Sequence, residues 1–281
     1  MKILVTGATG TVGKEVAEQL YEQGHEVRAL VRNPAKADLP GDVDVVTGDL
    51  TEPDDVRRAL TGMNRAFLNM ADDDGAAFAS VAGEMDLRHV ALLSSFTVSV
   101  RLPSGPDNVV TARHATGERL LGEAGVPSTF LRAAGFDYNV LLWAESLSDG
   151  VVRTPFPDIR LPVVHPGDIA ACAAAALSAE KPPVGVFSIT GPEPLSTRDQ
   201  VRTLSELTDR PVSVEQMTIS EAVDEAFPAG TPQFVSMSVL ETLGLGGQAA
   251  ALPVSDDVAI LTGRPPRDFR QWATENLASF G

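Results

Sequence analysis

Three glycines at three-residue intervals, Gly7, Gly10 and Gly13 in VTGATGTVG, carry the first recognisable chemistry. They follow the apolar run KILVT at 2–6 and precede the helical pattern VGKEVAEQLYEQG at 12–24. Between a strand and a helix, that spacing is a dinucleotide-binding turn. Gly7 permits the tight turn, Gly10 lets the main chain approach a diphosphate, and Gly13 lets the helix lie close to the sheet. The first N–H groups of the helix then face the anion. At the end of the second strand, where an acid would bind a ribose 2′-hydroxyl, stands Arg32, with Lys36 four residues on. A guanidinium pairs with a 2′-phosphate that a carboxylate would repel, so the expected cofactor is NADP(H). Arg28 reads as a solvated surface arginine. In GDL at 48–50, Asp49 is placed to accept from an adenine amino group and Leu50 to cover the ring.

A second set of reactive side chains lies further along. Ser94 and Ser95 end HVALLSS, and His114 and Glu118 lie in DNVVTARHATGERLLGEAG at 107–125. At four-residue helical spacing Glu118 could pair with His114, whose imidazole titrates near neutral pH if unperturbed but reads rather as a packing residue or a holder of ribose hydroxyls. Tyr138 in GFDYNV offers a phenol, or a structural ring. His165 reads as structural. The acids at 72–74 read as solvated, and no metal is expected. Cys172, the one cysteine, lies in AACAAAAL and reads as a buried structural thiol; alone it forms no internal disulfide.

Alternating strands and helices must position these groups. Strands are expected at 2–6, 26–32, 42–48, 65–70, 89–95 and 127–133, and helices at 12–24, 52–60, 75–85 and within 107–125. That alternation predicts an α/β fold, a Rossmann-like doubly wound parallel sheet covered on both faces. Residues 1–135 form the expected NADP-binding core. Residues 136–281 complete the core and form a small C-terminal substrate lobe, all within one domain of 1–281. There the proline-rich 154–166 reads as loop and strand, 167–177 and 196–208 as helices, 185–190 and 212–217 as strands, and the remainder as helical around a turn-rich gap at 244–253.

The net charge of −16 repels nucleic acid. No stretch reaches the length of apolar chain that spans a bilayer, so no membrane is expected. The first residues read as a strand, not as a leader, and a reducing cytoplasm is expected. Arginine outnumbers lysine 18 to 4, and alanine is abundant, which reads as GC-rich bacterial coding.

TGATGTVG, VRALVRNP, GDL, HVALLSS, HATGERLL, VPSTFLRA, HPGDIA, ITGPEPLS and LTGRPPRDFRQWATEN span nearly the whole chain. Together they resemble the short-chain dehydrogenase/reductase superfamily, and more narrowly its atypical NmrA-like NAD(P)H-binding branch. The resemblance implies a bound nucleotide along Gly7, Thr9, Gly10, Thr11, Val12, Gly13, Arg32, Lys36, Asp49, Leu50, Asn69, Met70, Ser94, His114, Ala133 and Phe136. It also implies a substrate cleft roofed by the C-terminal lobe.

The superfamily's catalytic template needs a serine, here Ser95, and a Tyr-x-x-x-Lys pair. His114 falls at the lysine position and Val110 at the tyrosine position. Neither Tyr21 nor Tyr138 is followed by lysine four residues on. A positioned proton donor is worth roughly 10²–10⁴ in rate. Ser95, His114, Tyr138 or water therefore substitutes, or the substrate stabilises its own oxyanion, or the protein binds NADP(H) without turnover. The first expectation is an NADPH-dependent ketoreductase or quinone reductase acting on a polycyclic aromatic carbonyl, in bacterial natural-product (antibiotic) tailoring. The alternative is an NADP(H)-sensing regulator that binds a protein partner.

Overall fold

The computed structural model describes residues 1–85, 87–245 and 252–280. The expected turn-rich gap at 244–253 falls largely outside them. Seven strands form one sheet in the order β3-β2-β1-β4-β5-β6-β8, every neighbouring pair parallel. They are β1 (Lys2–Thr6), β2 (Glu26–Val31), β3 (Asp44–Thr47), β4 (Arg65–Leu68), β5 (His89–Ser95), β6 (Ser128–Ala133) and β8 (Gly185–Ile189).

Two-residue side-chain alternation divides the buried apolar residues between two faces. Ile3, Val5, Phe67, Ala91 and Leu93 face one core, completed by α1 (Thr11–Glu22), α6 (Pro166–Ser178) and a helix at Asp257–Thr262. Leu4, Ala66, Leu68, Val90 and Leu92 face the other, completed by α2 (Pro53–Leu60), α3 (Ala76–Glu84) and α4 (Val109–Glu123). The alanines of α6 let it lie close on α1. Cys172 is fully buried among them, and burial pushes its thiol up to about 12, so it is a packing residue as expected. Arg28 is not the solvated residue expected. It bonds Asp44 at 2.6 Å and the carbonyls of Ala59 and Thr61, stapling β2 to β3 and to the end of α2.

β7 (Val151–Thr154) pairs in parallel with β9 (Ser213–Gln216) in a separate two-stranded sheet. β9 lies where a strand was expected, but β7 precedes the extended stretch expected at 154–166. Around this ribbon lie α5 (Ala144–Ser148), α7 (Thr197–Thr208), α8 (Ile219–Ala226), α9 (Gln233–Leu240) and a helix at Phe269–Glu275. Val152, Val201, Leu204, Trp272 and Phe280 form its main core. Asp168, fully buried at the start of α6, latches the C-terminal segment to the sheet. It accepts from the Arg267 N–H at 2.6 Å, Arg267 Nε at 2.9 Å and Arg264 at 2.8 Å. His165 caps the same helix, accepting from Gly167 N at 3.0 Å and meeting Glu275, so its role is structural. No helix among the described residues is long and apolar enough to cross a membrane.

Candidate functional site

The glycine turn fits a diphosphate. Gly7 has φ +66°, and a Cβ there would lie 2.8 Å from Asn69 Nδ2. A Cβ on Gly13 would lie 2.2 Å from the Gly7 carbonyl oxygen, so α1 approaches the turn only because residue 13 is bare. Gly10 is the N-cap of α1 and offers no side chain, which leaves the first-turn N–H groups of Thr11 and Val12 to an anion. Thr9 and Thr11 are exposed on the rim of the turn, and Val12 is buried beneath it. Thr6 ties the turn to β4: its hydroxyl donates to the Asn69 carbonyl at 3.1 Å and accepts from Asn69 N–H at 2.8 Å.

The ends of β2 and β3 lie side by side, with Val31 opposite Thr47. Arg32 therefore emerges beside Asp49. Lys36 follows in a 3₁₀ turn, Pro34–Lys36, capped by the Asn33 side chain at 3.0 Å from Ala35 N–H. Arg32 and Lys36 are exposed and form no ion pair among the described residues. The Asp49 Oδ1 accepts from the N–H and hydroxyl of Thr51 at 2.9 and 2.8 Å. Those bonds hold its carboxyl below the usual range, with Arg32 nearby acting the same way. Its other oxygen is left to meet an amino group. Leu50 is buried against the α2–α3 face.

Beyond the turn opens a cavity of about 940 Å³, bounded by the sheet's C-terminal edge and the lobe. It brings together Thr11, Val12, Asn69, Met70, Ser94, Ser95, His114, Ala133, Phe136 and Tyr138. Gly7, Thr9, Gly10, Gly13, Arg32, Lys36, Asp49 and Leu50 belong instead to the turn and the β2–β3 edge.

Ser95 ends β5. Its oxygen accepts from Thr97 N–H at 3.3 Å and the Thr97 hydroxyl at 3.0 Å, which leaves its own proton free to donate. Ser94 turns the other way, donating to Glu118 at 2.6 Å. Glu118 is held by Arg132 Nε and Nη2, at 2.9 and 2.6 Å. The expected His114–Glu118 pair is therefore absent: a bidentate guanidinium from β6 takes the carboxylate. His114 does not titrate near neutral pH. Burial, aided by Arg113, lowers its pKa to about 4, against a weak opposing pull from Glu118. Its buried Nδ1 meets no donor or acceptor of the protein. Tyr138 stands at the mouth, 44% exposed.

Several side chains went unmarked in the sequence. Trp143, Phe156, Met217 and Leu240 form the cavity's apolar far side, and Arg113 and Arg153 line it. Arg113 donates to the carbonyls of Met70 and Ala71 at 2.9 and 2.7 Å, bracing the chain after β4. Only the aromatic GFDYNVLLW carried a signal. Asp137, beneath Tyr138, is fully buried, and neither of its oxygens meets a protein donor. Burial, then Asp168 and Asp268, push its carboxyl up to about 8 against the pull of Arg267. In the acidic run at 72–74, Asp73 is not merely solvated. It accepts from Gly75 and Ala77 N–H at 3.0 and 2.8 Å and starts α3.

Residues 7–180 match the family of NAD(P)H-binding proteins. The chain is 35% identical to the (4-alkanoyl-5-oxo-2,5-dihydrofuran-3-yl)methyl phosphate reductase of Streptomyces griseus, with 99% of each chain covered. It is 30% identical to an NAD(P)H azoreductase of Xenophilus azovorans, again with 99% of each covered. An NADPH-dependent quinone oxidoreductase of Escherichia coli, solved with NADPH, has the same fold, with TM-score 0.84 at 20% identity. That likeness covers 99% of this chain and 100% of the other.

Proposed function

The chain belongs to the NAD(P)H-binding, NmrA-like branch of the short-chain dehydrogenase/reductase superfamily, and from that premise we propose that it reduces quinone or ketone groups of polycyclic aromatic molecules with NADPH. It is an NAD(P)H-dependent oxidoreductase, and NADP(H) is its cofactor. The observation that carries the substrate reading is the cavity. It is large and walled by Trp143, Phe156 and Met217, and it meets the nucleotide end of the sheet at Ser95. The names of the related proteins support the class: a reductase of an acylated lactone phosphate, an azoreductase and a quinone oxidoreductase.

The Gly7–Gly13 turn holds the diphosphate, and Arg32 with Lys36 holds the 2′-phosphate. The bound cofactor supplies a two-electron reduction. The free Ser95 proton donates a hydrogen bond to the substrate oxygen as negative charge develops there. His114 remains neutral at working pH, so it holds hydroxyls or packs and does not deliver a proton as an imidazolium. The apolar walls exclude water from the buried end, and the final proton arrives from solvent past Tyr138. A quinone needs no stronger donor, because its ring delocalises the incoming charge.

Following NADPH absorbance across a panel of quinones and aromatic ketones tests this. No oxidation across the panel, with nucleotide still bound, would replace the reading with that of an NADP(H) sensor. Ser95→Ala is expected to lower kcat about tenfold, equivalent to ~1.4 kcal/mol, with NADPH affinity retained. Complete inactivity in steady-state assays would give this hydroxyl a larger share of the catalysis.

A further inference from the structure

The cavity's far wall contains a contact between two residues that no motif marks. Phe156 lies in the loop after β7, its N–H donating to the Thr154 hydroxyl at 3.3 Å. Its ring packs on a small cluster, Met217, Ala222 and Leu240, and ring and cluster line the cavity together. Behind the ring stands Gly244, in a π-helical turn at Glu241–Leu245 that closes α9. A Cβ on Gly244 would lie 1.9, 2.3 and 2.6 Å from ring carbons Cδ2, Cγ and Cε2 of Phe156. The ring therefore lies flush on a bare Cα.

The turn is fixed at its first residue. Glu241, 4% exposed, accepts from Ser104 N–H at 3.2 Å, the Ser104 hydroxyl at 2.7 Å and Asn108 Nδ2 at 3.3 Å. Asn108 also caps α4, accepting from Val110 and Thr111 N–H at 3.1 and 3.0 Å. The turn is thus anchored to the helix that carries His114. Any side chain at 244 must displace the Phe156 ring. The ring itself lines the cavity, so displacing it reshapes the cavity wall.

We propose that the seating of Phe156 on Gly244 sets the depth of the substrate cavity and makes this enzyme selective for fused-ring over single-ring acceptors. The proposal rests on the reductase reading above and deepens it. A wall that moves by one methyl group changes discrimination between substrates of different size by roughly 10–200-fold.

The test compares wild type, Gly244→Ala and Phe156→Ala with two quinones, 1,4-benzoquinone and 9,10-phenanthrenequinone, using NADPH. The ratio of kcat/KM for the three-ring quinone over the one-ring quinone is expected to fall about tenfold in Gly244→Ala and to rise in Phe156→Ala. NADPH affinity, measured by calorimetry, reports that each variant is folded. An equal ratio in all three proteins overturns the proposal. If wild type reduces neither quinone, the reductase reading fails by itself. The ratio of the two quinones' binding affinities is then read from quenching of tryptophan fluorescence, since Trp143 lines the cavity, and it decides the depth proposal independently.

Discussion

Arg32→Ala is expected to weaken NADPH binding about 30-fold and to leave NADH binding within about twofold. The first figure corresponds to ~2 kcal/mol, the loss of charge-assisted hydrogen bonds at an exposed site. The side chain emerges where β2 and β3 end together, beside Asp49, and is committed to no carboxylate among the described residues. Lys36, brought round by the capped 3₁₀ turn, supplies a second cation, so Arg32→Ala with Lys36→Ala extends the loss. The interaction is solvent-exposed, so the NADPH advantage shrinks as salt rises. Arg32→Asp should go further and reverse the preference, because a carboxylate accepts from a 2′-hydroxyl and repels a 2′-phosphate. Isothermal titration with both nucleotides at two ionic strengths checks all of this. An equal fall for NADPH and NADH in Arg32→Ala would mean that the guanidinium supports the fold of the turn and does not read the phosphate.

Asp137→Asn is expected to raise stability, by an amount that grows with pH. Asp137 is buried without a protein donor on either oxygen, and its carboxyl is pushed up to about 8. Free carboxyls of this type titrate near pH 4. Between those two values the folded chain keeps a proton that the unfolded chain has lost. Each pH unit in that window therefore removes ~1.4 kcal/mol of wild-type stability, and the loss levels off above about pH 8. Asparagine has the same shape and no charge to bury. At about pH 4 the two proteins should melt together, and by pH 7 the variant should lead by up to ~4 kcal/mol. For a chain of this size that is a Tm higher by roughly 10 °C. Thermal melts at pH 4, 5, 6, 7 and 8 measure the curve. A constant offset across the series would show that the carboxyl titrates at its free value in the folded chain.

The position of Asp137 gives that instability a place in the site. It precedes Tyr138 at the cavity mouth, and its N–H donates to the Val164 carbonyl at 3.0 Å. The charged groups around it, Asp168, Arg267 and Asp268, belong to α6 and to the C-terminal segment that Asp168 holds. One buried acid thus sits at the junction of the cavity loop, the sheet and the lobe.

The parallel sheet and the nucleotide turn were legible because their causes are local. Period-two burial, glycines at fixed offsets and an arginine at a strand end act through neighbours in the chain, and the strands lie within two residues of their expected limits. Ser95, at the end of β5, was marked instead by the resemblance to the family's template. β7 was not legible. VVRT is four residues long, and its partner β9 lies about sixty residues away, so no short-range pattern announces the pairing. The possible His114–Glu118 pair did not form on the same ground: a helical neighbour offers a weak pair, and Arg132 on β6 offers a better one.

What the amino-acid order determined by itself was therefore the class of fold, the kind of nucleotide and the absence of a Tyr-x-x-x-Lys pair. The folded chain alone decided that His114 stays neutral, that Asp137 keeps its proton, and that Phe156 rests on Gly244 to shape the cavity. Each of these depends on which distant groups exclude water or occupy space around a side chain. Burial and long-range packing are properties of the assembled volume, not of any stretch of sequence.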